Sequence, residues 1–144
     1  MPIDATLPYD DQNIFAKILR GEIPCIKLYE DEHTLAFMDI MPQADGHALV
    51  IPKEGAETLL ELSDEAASAC IRTTKKLAAA VKKAMDAPGI VIFQLNGPAA
   101  GQTVPHYHVH VLPSSLGALG QGHASKMEDP AKLQAIAEKI KAAF

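Results

Sequence analysis

Two rhythms of apolar and polar positions run along the chain, one of period two and one near three and a half, and together they predict the elements. Over residues 14–20, Ile14, Phe15, Ile18 and Leu19 fall at helical spacing. Asn13 is placed to cap this helix, Gly21 to stop it and Pro24 to prevent its resumption. Ile26-Lys27-Leu28-Tyr29-Glu30 alternates as a strand, Asp31-Glu32-His33-Thr34 reads as a polar turn, and Leu35-Ala36-Phe37-Met38-Asp39-Ile40 is the return strand. After a loop over 41–46, His47-Ala48-Leu49-Val50-Ile51 forms a third strand closed by Pro52. Three successive strands without a helical crossover indicate an antiparallel meander. Residues 54–61 are expected to add a turn or two of helix.

Ser63 then caps the main helix, residues 64 to about 85, whose Ala66, Cys70, Thr73, Leu77, Val81 and Met85 trace an apolar stripe. Pro88-Gly89 ends it. Ile90-Val91-Ile92-Phe93-Gln94-Leu95 is the most apolar strand and is expected inside the sheet. A turn over 96–103 leads to His106-Tyr107-His108-Val109-His110-Val111, a strand ending at Pro113. Residues 114–128, with Gly117, Gly120 and Gly122, read as a flexible loop, and residues 1–12 as a loose lead-in. Asp129-Pro130 opens a last helix in which Leu133, Ile136, Ala137, Ile140 and Phe144 share a face. The expected architecture is α+β, one domain over 1–144. It has an antiparallel sheet of about five strands, a short N-terminal helix, one long helix and a C-terminal helix, with the helices packed on one side.

Composition narrows the function classes. With 144 residues, 48% hydrophobic and 22% charged, the chain can bury a core and is not disordered. A net charge of -5 gives no general attraction to nucleic acid or anionic membrane, so neither is an expected partner and phosphate recognition must be local. Lys75, Lys76, Lys82 and Lys83 read as a solvated helix face that suits the dipole. No leader pattern opens the chain, no apolar run reaches membrane-spanning length, and Cys25 and Cys70 form no CxxC. These features lead to the expectation of a soluble cytoplasmic protein with two packed thiols.

The chemistry sits in residues 106–111. Side chains alternate faces along a strand, so His106, His108 and His110 share one face while Tyr107, Val109 and Val111 take the other. A metal site is one possibility. The outer two histidines lie about 13 Å apart at ~3.3 Å per residue, so an ion would need two of the three plus His47 or Asp39. Three core histidines are a second possibility, each ring nitrogen then needing a buried partner. The third is acid–base and nucleophilic chemistry: neutral imidazole attacks phosphorus through one nitrogen while an acceptor holds the other, and neighbouring rings donate to phosphate oxygens. The preceding turn, Asn96-Gly97-Pro98-Ala99-Ala100-Gly101-Gln102-Thr103, suits this last use, its glycines allowing close backbone approach and Gln102 and Thr103 supplying neutral donors.

Together these stretches resemble the histidine triad superfamily. Its signature, His-x-His-x-His followed by apolar residues, is matched by His106-Tyr107-His108-Val109-His110-Val111-Leu112. Asn13-Ile14-Phe15-Ala16-Lys17-Ile18, Gly21-Glu22-Ile23-Pro24, Phe37-Met38-Asp39-Ile40, His47-Ala48-Leu49-Val50-Ile51-Pro52-Lys53 and Ala100-Gly101-Gln102-Thr103-Val104 also match, so the resemblance covers about residues 13 to 113. It implies a nucleotide-binding hydrolase or transferase that releases nucleoside monophosphate from phosphoramidates or dinucleoside polyphosphates. His108 is implied as the nucleophile, forming a covalent nucleotidyl-histidine and oriented by the main-chain carbonyl of His106. His110 is implied on the α-phosphate, with His47 as a fourth, remote histidine. Asn96, Gly101, Gln102 and Thr103 are implied to contact phosphate, with Thr103 near the leaving group. Asp39 would accept from the ribose hydroxyls, and Phe15, Ile18, Ile23, Phe37, Ile40 and Leu49 would enclose a purine base.

No cofactor and no metal are implied. Many bacterial relatives carry Cys-x-x-Cys at the first helix as half of a structural zinc site, where this chain has Asn13 and Ala16. The N-terminal half looks like the Hint-type phosphoramidases, while Ala-Gly-Gln-Thr-Val and His-Val-Leu-Pro also occur in fragile-histidine-triad dinucleoside polyphosphate hydrolases. Members are commonly homodimers, which implies strand 90–95 and helix 64–85 as the interface. His33 and His123 match nothing in the family and read as surface residues. The alternatives are a nucleotide-binding regulatory or scaffold protein with little turnover, and a metal-dependent hydrolase using the histidine cluster.

Overall fold

The computed structural model describes residues 9–119 and 126–144. In chain order the elements are α1 (Ile14–Leu19), β1 (Lys27–Glu30), β2 (Thr34–Met38), β3 (Ala48–Pro52), α2 (Asp64–Ala84), β4 (Val91–Gln94), β5 (Val109–Leu112), α3 (Leu116–Leu119) and α4 (Pro130–Ala142), with a 3₁₀ turn at Pro98–Ala100. Side chains of Asn13, Ser63 and Asp129 accept from Ala16 N, Ala66 N and Ala131 N, so three helix starts are capped as their sequences foretell. The strands form one antiparallel sheet in the order β1-β2-β3-β5-β4. The α+β class and the five strands are as expected. No helix among the described residues is long and apolar enough to cross a membrane.

The sheet is covered on both faces. On one, Leu28, Ala36, Met38, Ala48, Val50, Tyr107, Val109 and Val111 pack with Cys70, Leu77 and Val81 of α2 and Ile136 and Ile140 of α4. On the other, Leu35, Phe37, Leu49 and Ile51 pack with Phe15 of α1. The helices are therefore not confined to one side. Apolar residues at successive rather than alternate positions of β2 and β3 are the cause, since both of their faces need cover.

Other expectations are corrected. β4 lies at an edge of the sheet, because β5 returns between it and β3, and Ile92 is 47% exposed. Residues 54–61 form turns and not a helix; Leu62 N closes onto Thr58 O, and the Thr58 hydroxyl both donates to Glu61 and accepts from Leu60 N, competing with helical bonding. The regular strand β5 begins at Val109, so His106, Tyr107 and His108 precede it. Phe144 leaves the buried face of α4 and stacks on Tyr29, because the helix ends at Ala142. The start of the 114–128 loop is helical as α3, and Glu128 N donates to Ile40 O. Its residues 120–125, including Gly120, Gly122 and His123, lie outside the described residues, as do residues 1–8 of the lead-in. Tyr9 is not loose but bonded to Asn13 and His106. Cys70 is buried and Cys25 half-buried, both as free thiols.

Register places the chemistry. Phe37 pairs with Leu49, Leu49 with His110, and His110 with Phe93. Directly paired residues share a face. One row across the sheet thus runs from an apolar wall to a histidine.

Candidate active site

Three main-chain groups of fixed polarity, Pro52 O, His106 O and Gln43 N, hold ring nitrogens of His106, His108 and His47, and the proton positions follow from them. His106 is fully buried, and its Nε2 lies 2.9 Å from the Pro52 carbonyl, which can only accept. Its Nδ1, 2.7 Å from the Tyr9 hydroxyl, is then the acceptor. Burial holds the ring's pKa down to about 4, so it is neutral. The Nδ1 of His108 lies 2.7 Å from the His106 carbonyl, which places its proton on Nδ1 and the lone pair on Nε2. The Gln43 N–H donates to His47 Nδ1 at 3.1 Å, leaving the His47 proton on Nε2. That proton points to His110 Nδ1 at 2.9 Å, so His110 carries its own on Nε2. Phe93 stacks on His110 with ring centroids 4.2 Å apart, and the edge of Phe15 meets His108 at 5.0 Å.

These rings open onto a pocket of about 340 Å³, within the size range of small-ligand sites. Phe15, Ile18, Ile23, Phe37, Ile40 and Leu49 line it, as do Asp39, His47, Thr103, His108 and His110. All eleven were candidates from the sequence, and the fold gathers them. Phe15 and Phe37 meet edge to face at 5.5 Å. Asp39 Oδ1 accepts from Met41 N, and its Oδ2 lies 3.4 Å from His47 Nε2. His33 is exposed beside Glu32, away from this cluster.

The remaining candidates lie around the pocket without lining it. His106 sits behind His108. Gln102, only 4% exposed, accepts from Gly97 N and donates to the carbonyls of Glu57 and Val104. Asn96 accepts from Leu59 N and exchanges amide bonds with Gln94. The N–H groups of Ala100, Gly101 and Gln102 close onto carbonyls of Gly97 and Pro98. Gly97 and Gly101 have φ of 90° and 108°, a region that side chains disfavour. The turn is stitched internally, and Thr103 is the member it delivers to the pocket.

Sequence reasoning did not single out Tyr9, Gln43 or Phe93 as site residues. Gln43 acts through its main chain and leaves no side-chain signal. Phe93 follows from strand alternation only once its register with His110 is known. Asp39, His47 and His110 offer ligand atoms within 4.8 Å of one another, so the extra donors foreseen for a metal do meet a histidine of the triad, though His108 is outside that group. Asn13 is buried and caps α1.

Comparison with known proteins places the chain in a family. A family model described as HIT domain matches residues 20–116. The chain is 41% identical over 132 residues to protein hit of Bacillus subtilis, covering 88% of this chain and 90% of the relative. It is 43% identical over 129 residues to an adenosine 5′-monophosphoramidase of Schizosaccharomyces pombe, covering 88% and 94%. The crystal structure of a Hit-like protein from Bartonella henselae superposes with a TM-score of 0.89 at 44% identity, over 96% of this chain and all of that one. With residues 20–116 matched by the family model and 88% of its length by a relative 41% identical to it, the chain belongs to the HIT domain family.

Proposed function

We propose that this protein is a nucleotide hydrolase or transferase that releases nucleoside monophosphate from phosphoramidates through a covalent intermediate on His108, with dinucleoside polyphosphates as a second substrate class. The observation that carries this reading is the 2.7 Å bond from His108 Nδ1 to the His106 carbonyl. A carbonyl cannot give up a proton, so the neutral ring keeps its lone pair on Nε2, and the imidazolium formed on attack is stabilised at Nδ1. Nε2 attacks the α-phosphorus, the P–N or P–O bond to the leaving group breaks, and the leaving group takes up a proton from solvent. Water then attacks phosphorus and gives up a proton to solvent, the P–Nε2 bond breaks with its electron pair returning to Nε2, and His108 is neutral again as the monophosphate departs.

His110, protonated on Nε2 by its bond from His47, donates to a phosphate oxygen. Thr103 stands near the leaving group, and Asn96, Gly101 and Gln102 support the phosphate contact by holding the turn that presents it. Asp39 accepts from the ribose, and the apolar wall takes a purine. The relative named as an adenosine 5′-monophosphoramidase supports the phosphoramidate class. A second copy is proposed to pair along β4 and the outer face of α2, where Ile92 and Ile71 are exposed.

Turnover of adenosine 5′-phosphoramidate and of diadenosine polyphosphates, with and without chelator, tests the chemistry. Activity that survives chelation and a nucleotidyl mass adduct on His108 are expected. His108→Asn should lose several orders of magnitude in turnover while still binding AMP. Loss of activity on chelation would favour the metal-dependent alternative. AMP binding without turnover in the natural chain would favour a regulatory or scaffold role.

A further inference from the structure

We infer that Tyr9 is a positioning residue for His108: its hydroxyl clamps the His106 ring, and through it the carbonyl that orients the nucleophile, while tying α1 to the same point. The inference rests on the proposed role of His108, and the geometry behind it is separate. Ala16 N can only donate, so the Asn13 amide is oriented with Oδ1 toward it and Nδ2 outward. Nδ2 then donates to the Tyr9 oxygen at 2.9 Å and to the Asp10 carbonyl at 2.8 Å. Tyr9 passes its own proton to His106 Nδ1 at 2.7 Å, and His106 Nε2 donates to Pro52 O. Every bond in this relay has a single allowed direction. It runs from the cap of α1 to the end of β3, and the His106 carbonyl branches from it to His108.

Two further observations fit. The Tyr9 ring packs edge-on to His106 with centroids 5.7 Å apart, and a Cβ at Gly55 would come within 2.7 Å of that ring. Gly55 does not occupy the left-handed region, so its backbone would admit other residues, and it is the ring that requires a glycine there. On the α1 side, Phe15 packs against both His106 and His108, so the anchor that places α1 also places the wall beside the nucleophile. Because the His106 ring is buried and neutral, its Nδ1 needs a protein donor, and Tyr9 supplies it.

Tyr9→Phe keeps the ring and removes that donor. Two readouts are expected together: turnover of adenosine 5′-phosphoramidate falls about tenfold or more, as small misplacement of a reacting group does, with AMP affinity within about twofold. In ¹⁵N-histidine spectra, the Nδ1 signal of His106 and the Nδ1–H signal of His108 both move. Gly55→Ala, which keeps the hydroxyl but displaces the ring, should reproduce both effects. Unchanged turnover with unchanged imidazole signals overturns the inference. So does a loss confined to AMP affinity with His108 signals in place, which would leave Tyr9 as packing for α1 alone. Should the natural chain itself lack turnover, the function assigned to His108 fails, and the spectra still decide the clamp: joint movement supports it, and an unmoved His108 overturns it.

Discussion

At the scale of single residues, His106 makes its burial measurable. In the folded protein its pKa is held down to about 4 by desolvation, against the ordinary value of 6.5. Between those values the unfolded chain binds more protons than the folded one, so stability rises with pH. The contribution is full above about pH 6.5, worth about 3 kcal/mol, and is lost as pH falls toward 4. Asp31 acts in a lower window. Burial works to raise its carboxyl, but bonds from His33 N, Tyr29 Oη, Thr34 N and Thr34 Oγ1 prevail and draw it down to about 2. Its stabilisation is full above about 3.8 and fades only below that. Urea unfolding from pH 7 to 4 should therefore show a falling midpoint, and His106→Asn should flatten that slope. A slope unaltered in the variant would assign the effect elsewhere.

At the scale of elements, the turn between β4 and β5 depends on one side chain. Buried Gln102 donates to the carbonyls of Glu57 and Val104 and accepts from Gly97 N, and the Val104 carbonyl accepts from His106 N as well. Gln102→Ala should cost about 1–3 kcal/mol in urea unfolding, from the loss of its three buried hydrogen bonds. It should also lower turnover, because Thr103 follows directly and lines the pocket. Equal loss of stability with unaltered kcat would show that Thr103 is held by other means. Helix α1 illustrates the same dependence. Six residues are too few to be stable alone, so its Asn13 cap and the Phe15 contacts with Phe37 and the histidines hold it.

At the scale of the whole molecule, the sheet divides labour between its faces. α2 and α4 cover one with a continuous apolar core, and the other carries the histidine row under α1. The start of α4 is tied to the pocket rim, Lys132 pairing with Asp45 and Glu128 N donating to Ile40 O. β4 closes the sheet as an edge strand with Ile92 exposed, an arrangement that invites pairing with a second chain. Light scattering should find a dimer, and Ile92→Lys should shift it to monomer. A dimer that withstands that substitution would place the interface on another surface.

The sequence by itself determined the meander and the capped helices, because these depend on periodicity within one element and on residues a few places apart. The tertiary structure alone decided that β4 is an edge, since apolarity reports cover above and below a strand and not the neighbour beside it. It also decided that Asn96 and Gln102 stitch the turn, that Gln43 N and the Pro52 carbonyl set the tautomers, and that Tyr9 reaches His106 across 97 residues. Those partners are main-chain atoms or remote side chains, and only packing and strand register bring them within hydrogen-bond reach.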